Sequence, residues 1–246
     1  MAINNELIEM AKSLQLFNFA NDFEKLIKKT TDEKLSIEDS IMLILTEECK
    51  DKQKRFALNR VSRANINPNL SFENFDFSTL TNENETLIRN IMNTDFVKSN
   101  MNFFLIGNHG VGKTHIGSAL VIKACFDGKT GFTDNVKSMC RKLVIGHKNG
   151  DWYNVAKNYL ECDVLFLQDV ATTPLDIEEV AALYEIVAQR ENRGSIIVES
   201  CISTKYWFKR MAEEDILVSG IIDRLKKNFL VIKLEGKSYR ANVDTK

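Results

Sequence analysis

Gly107, Gly112, Lys113 and Thr114 stand in the order G-x-x-x-x-G-K-[ST], a spacing that makes a phosphate cradle when a strand precedes it and a helix follows. Glycines let such a loop curl until its N–H groups point inward. The lysine after the second glycine reaches β and γ phosphates, and the next hydroxyl is a ligand for magnesium. Residues Gly107, Asn108, His109, Gly110, Val111, Gly112, Lys113 and Thr114 are therefore the candidate nucleotide-binding loop, with Thr114 as candidate metal ligand. The bare pattern also fits a glycine-rich turn. The flanks favour the phosphate reading: residues 103–106 read as a buried strand, and Ile116, Ala119, Leu120 and Ala124 recur at helical spacing, which brings the positive end of a helix to the same place.

A phosphate loop serves kinases, GTPases and motor ATPases alike, so the other strand ends must discriminate. Phosphoryl transfer to water needs a carboxylate for the magnesium shell, a polar group to orient the water and an arginine to neutralise developing charge. Asp169 follows Gln168 at the end of the apolar run 164–167 and is the candidate carboxylate and metal ligand. Glu199, Ser200 and Cys201 close the run 195–198 and are placed to sense a γ phosphate. The chain has no guanine-reading N-K-x-D tetrapeptide and no arginine-rich lid segment, which argues against a GTPase and a small-molecule kinase.

To hold these groups together the chain must alternate strands with helices. Apolar runs near 103–106, 131–133, 164–167, 195–198 and 229–232 predict strands, and helical periodicity appears near 135–145, 155–160 and 175–190, with a basic, flexible turn at 147–150. That alternation predicts a parallel sheet wrapped on both faces, with ligands at the carboxyl ends of the strands. Upstream, residues 4–63 read as helical throughout, with Ser36 and Asp39 capping a third helix. The expected division is a helical domain over 1–65, a docking linker over 66–83 that carries Phe72, Phe75 and Phe77, and a nucleotide-binding domain over 84–246 that opens with a helix over 84–97. Lys52, Lys54, Arg55, Arg60 and Arg63 make the last N-terminal helix basic, as either a solvated face or a stripe for nucleic-acid phosphates. A net charge of -1 over 246 residues confines any such surface to a local patch. Five cysteines without a C-x-x-C read as free thiols. No apolar run approaches the roughly 18 residues of a membrane span, and the polar N-terminus is unlike a secretory signal, so a cytoplasmic protein is expected.

The stretches FFLIGNHGVGKTHIGSAL, DVLFLQDVATTPLDIEEVAALYEIVAQRENRGSIIVES and IIDRLKKNFLVIKLEGKSYR together resemble the IstB type of AAA+ ATPase, the helper ATPases of bacterial insertion sequences and relatives of DnaC-type helicase loaders. The resemblance implies an α/β P-loop AAA+ core, its five-stranded parallel sheet flanked by helices, behind a small all-helical N-terminal domain and without a C-terminal lid. It implies ATP and Mg2+ as cofactors, double-stranded DNA and a transposase as partners, and a homo-oligomer. A helicase loader with a replicative helicase as partner, and a hydrolysis-impaired DNA-binding scaffold, are the alternatives. His115 continues the family's G-K-T-H and joins the cofactor-binding set.

Two positions depart from the family pattern. Its second ATPase motif ends in two adjacent acids, and here the pair is Gln168 and Asp169. The position for the magnesium shell is then a neutral amide and Asp169 falls where the water-activating acid belongs; alternatively Asp169 serves magnesium and Gln168 orients the water. Cys201 stands where the family has a γ-phosphate-contacting Asn, which removes a strong hydrogen-bond donor. Together they imply that ATP binding survives while hydrolysis slows, since losing one catalytic polar group costs on the order of 100-fold to 1000-fold. Arg224 matches the arginine that acts across a subunit contact, or else forms a salt bridge to Asp223 or another nearby acid.

Overall fold

In the computed structural model, which describes residues 2–213 and 215–236, the five apolar runs pair into one parallel sheet. The strands are β1 (Asn102–Gly107), β2 (Gly131–Asn135), β3 (Val164–Gln168), β4 (Ser195–Ser200) and β5 (Phe229–Leu234), in the order β2-β3-β4-β1-β5. The runs rich in Phe, Ile, Leu and Val in β1, β3 and β4 suit strands buried on both faces, which is why their pattern is continuous, whereas the edge strand β5 alternates toward its end. Phe104 lies beside Val198 and Val231, and Phe166 beside Ile197, so the register puts large side chains in layers across the sheet. The end of the GKSYR motif, residues 237–240, lies outside the described residues.

Helices α5 (Asn82–Met92) and α6 (Lys113–Phe126) belong to one face, where Phe103, Leu105, Phe166 and Ile197 share a core with Ile88, Ile91, Ile116 and Leu120. Helices α7 (Val136–Lys148), α8 (Trp152–Glu161), α9 (Ile177–Gln189) and α10 (Asp215–Leu225) belong to the other, around Leu165, Leu167, Ile196 and Val198. The helix expected over 84–97 stops at Met92: Asn93 caps it, and the turn that follows buries Phe96 and Val97 instead of continuing the period. The turn expected at 147–150 begins later, because His147 and Lys148 complete the last turn of α7, where cations favour the helix C-terminus.

A capping box starts α9. The Asp176 carboxylate accepts from the Glu179 N–H and the Glu179 carboxylate accepts from the Asp176 N–H, each at 2.9 Å. Replacing Asp176 by alanine should lower stability by about 1 kcal/mol, the usual loss for such a cap, as a small downward shift of the urea midpoint with unchanged slope.

The N-terminal region forms four helices where three were expected: α1 (Ala2–Ser13), α2 (Phe17–Asn21), α3 (Phe23–Asp32) and α4 (Ile37–Arg63). A break at Asp22 separates α2 from α3, so the Ser36 cap begins the fourth. There the Ser36 hydroxyl accepts from the Asp39 N–H at 3.1 Å and donates to its carboxylate at 2.8 Å. The chain divides into two compact units inside α4, at Leu58 and Asn59. Within the first, Ala11, Ala20, Phe23 and Leu26 are buried and the Glu48 carboxylate accepts from the Phe19 N–H at 3.0 Å. Among the described residues no helix is long and apolar enough to cross a membrane.

Candidate functional site

β1 delivers the chain into the glycine loop at the carboxyl end of the sheet, where open α/β sheets bind ligands. Gly107 ends β1 under β5, where an added Cβ would stand 2.2 Å from the Leu234 carbonyl oxygen. Gly112 sits at φ 94°, a region that L side chains rarely adopt, and turns the loop into α6. Lys113 and Thr114 are therefore the first residues of that helix.

Lys113 is buried, and its ammonium donates to the Asn108 carbonyl at 2.7 Å and to the Cys201 sulfur at 3.3 Å. Cys201 in turn lies 3.5 Å from His109 Nδ1. The Thr114 hydroxyl donates to Glu199 Oε1 at 2.9 Å. Asp169 holds φ 56°, its carboxylate accepts from Asn135 Nδ2 at 3.0 Å, and its carbonyl accepts from the Thr172 N–H at 3.1 Å. Gln168 stands beside it on the same cavity wall.

The cavity over these groups has a volume of about 750 Å³, a size that suits a small organic ligand. Its far wall comes from the segment before α5: Leu70, Asn74, Phe75 and Asp76. That segment is fixed on α6 by the Ser71 carbonyl, 2.9 Å from His115 Nε2, and by an edge-to-face contact of Phe75 with the His115 ring at 5.0 Å. His115 thus supports the wall as well as lining the cavity. At the far end of α6 from the loop, burial pushes the Cys125 thiol up to about 11, which keeps it protonated. Beside Asn135, burial and a hydrogen bond to Asp134 push the Tyr159 hydroxyl well above the usual range.

The loop residues, Gln168, Asp169 and Cys201 thus come together around one cavity or its lysine, while Arg224 does not join them. Arg224 lies toward the amino ends of the strands, beside a second cavity of about 250 Å³. Its guanidinium donates to Glu191 at 3.1 Å, not to Asp223, and lies over the Tyr184 ring at 5.0 Å. Of the basic residues, Arg55 is engaged by Asp51 at 2.7 Å and Glu48 at 3.4 Å, and Arg60 donates to the Cys125 carbonyl at 2.8 Å. Lys52, Lys54 and Arg63 are exposed. Sequence reasoning missed Asn135, the wall at 70–76 and the contact of Glu199 with Thr114. A polar residue interrupting an otherwise apolar strand end was the one available signal for Glu199.

A parallel α/β sheet with a curled glycine loop between an inner strand and a helix beginning Lys-Thr defines a P-loop protein. The sequence profile described as IstB-like ATP binding protein matches residues 9–246, and the chain belongs to that family. It is 22% identical to an insertion sequence IS21-like protein of Bacteroides fragilis, designated ATP-binding, over 96% of this chain and 89% of that one. It is 23% identical, with the same two coverages, to the corresponding insertion sequence IS21 protein of Pseudomonas aeruginosa. Among solved structures, the DnaC helicase loader superposes with a TM-score of 0.56 at 19% identity, over 68% of this chain and 98% of that one. AMPPCP-bound DnaA from Aquifex aeolicus superposes with a TM-score of 0.57 at 20% identity, over 70% of this chain and 51% of that one. These likenesses are of fold alone.

Proposed function

We propose that this protein is an ATP-hydrolysing, DNA-binding helper that assists a transposase in engaging target DNA. The observation that carries the reading is the buried Lys113 ammonium, held on the Asn108 carbonyl at the mouth of a helix-start anion site. A lysine parked on a neutral carbonyl and a thiol exchanges these partners for phosphate oxygens with a gain in charge-assisted bonding.

Around ATP the loop N–H groups and Lys113 bind phosphates, His109 and Gly110 line the cavity beside them, and Phe75 and Leu70 face the organic part of the ligand. Hydroxyl and carboxylate oxygens beside Lys113, from Thr114 and the neighbouring strand ends, are the hard donors that suit Mg2+. A magnesium ion held there would offset the negative charge that develops on the phosphates. Asp169 orients the attacking water and Gln168 assists it. Arg224 reaches a neighbouring subunit's nucleotide by leaving Glu191. Lys52, Lys54 and Arg63 supply phosphate contacts to duplex DNA, with Arg55 and Arg60 first having to exchange their internal partners.

The test is ATP turnover by the purified chain with and without long duplex DNA, at low and high salt. The expected result is turnover stimulated by duplex DNA, with the stimulation weakening as salt rises. Stimulation by single-stranded DNA together with a replicative helicase would favour the loader role. A second reading, a nucleotide-locked scaffold, is favoured by the amide at Gln168 and the thiol at Cys201; ATP-promoted DNA binding without phosphate release is its signature.

A further inference from the structure

We infer that the acid missing from the end of β3 has moved one strand over, so that Glu199 on β4 and Thr114 together hold the magnesium that accompanies ATP. The inference rests on the ATP-binding reading above and names the residue that completes its metal site. The pleat supplies the first support. Phe166 and Ile197 are register partners and share a core with Ile116 and Leu120 of α6. Side chains two residues apart on a strand point to the same face, so Gln168 and Glu199 both emerge on the face where α6 begins.

β4 lies between β3 and β1 in the sheet, which sets a carboxylate on β4 one strand nearer to the phosphate loop than any on β3. The hydroxyl that a P-loop uses for magnesium, Thr114, already donates to Glu199 Oε1 at 2.9 Å. Glu199 is only 6% exposed, so its carboxylate is held in place beside Thr114. An amide oxygen at Gln168 brings no charge to a cation, whereas Thr114 and Glu199 form the hydroxyl and carboxylate pair that magnesium takes. The assignment releases Asp169, tethered by Asn135, for the water.

The experiment uses the full chain, ATP and Mn2+ as the probe for Mg2+, read by electron paramagnetic resonance, with a fluorescent ATP analogue in EDTA as the metal-free control. In Glu199→Gln the analogue should still bind in EDTA, while Mn2+ affinity of the protein–ATP complex falls about ten-fold or more. Adding Gln168→Asp to that variant should return most of the lost affinity by restoring a carboxylate on β3. Should Glu199→Gln not fold, Glu199→Asp, with its shorter arm, is read in the same way. Unchanged Mn2+ affinity in a variant that binds the analogue in EDTA overturns the Glu199 assignment alone. No binding of the analogue by the unaltered chain either in EDTA or with Mg2+ overturns the ATP-binding reading, and this inference with it.

Discussion

Asp169→Asn should lower ATP turnover by roughly 100-fold to 1000-fold and leave ATP affinity within a few-fold, as expected when a group acts on the transition state more than on the bound ligand. The backbone makes this a clean substitution. Asp169 holds φ 56°, in the left-handed region, and asparagine is the residue besides aspartate and glycine that accepts it. Asn135 Nδ2 still has an oxygen to donate to, and the bond from the Thr172 N–H to the residue 169 carbonyl is untouched. The turn between β3 and α9 therefore keeps its shape while the carboxylate is lost. Turnover equal to that of the unaltered chain, measured by phosphate release at saturating ATP, would falsify the assignment of Asp169 as the water-orienting acid. A loss of ATP affinity as large as the loss of turnover would instead make it a binding residue.

Arg190→Leu should destabilise the nucleotide-binding unit by about 3–5 kcal/mol, because several buried carbonyls lose the guanidinium they share. Arg190 is only 2% exposed, and its guanidinium donates to the carbonyls of Tyr159, Leu160, Cys162 and Ser195. It ties the end of α8 and the start of β4 to the end of α9. Burial lowers the tendency of Arg190 to hold its proton, yet guanidinium basicity is high enough to keep the charge. Leucine fills much of the volume but takes a donor from each of those carbonyls, and each buried group left unsatisfied costs about 1–3 kcal/mol. The thermal midpoint should fall by on the order of 10 °C. A fall under about 2 °C would show that water replaces the guanidinium at little cost.

The parts of the fold and site that could be read from sequence were those whose determinants are local. The phosphate loop, the five strands and the Ser36 cap each depend on residues a few positions apart, so spacing alone carries them. The capping box of Asp176 and Glu179 belongs to the same class, although the helix it starts was expected slightly earlier. Glu199 was legible as part of a polar strand end, but its contact with Thr114 was not, because the two lie 85 residues apart and only the strand order brings them together. The linker phenylalanines were legible as docking residues, but the surface they meet, His115, lies 44 residues from Ser71, so their place in the cavity wall was not. Counting charges along α4 suggested five equivalent cations; it could not register that Asp51 and Glu48 engage Arg55 or that a carbonyl on α6 engages Arg60. Arg190 sits inside a stretch that marks the family, yet its work depends on carbonyls about 30 residues upstream.

The segment 70–76, which walls the cavity, is seated on α6 through the His115 imidazole, which meets the Ser71 carbonyl and the Phe75 ring. A ligand seated against such a wall and the wall's own seating on α6 share a single thermodynamic cycle, so whatever tightens one tightens the other by an equal factor. The occupancy of the phosphate loop is thereby readable at the chain that runs toward the N-terminal helices, without any movement of the sheet.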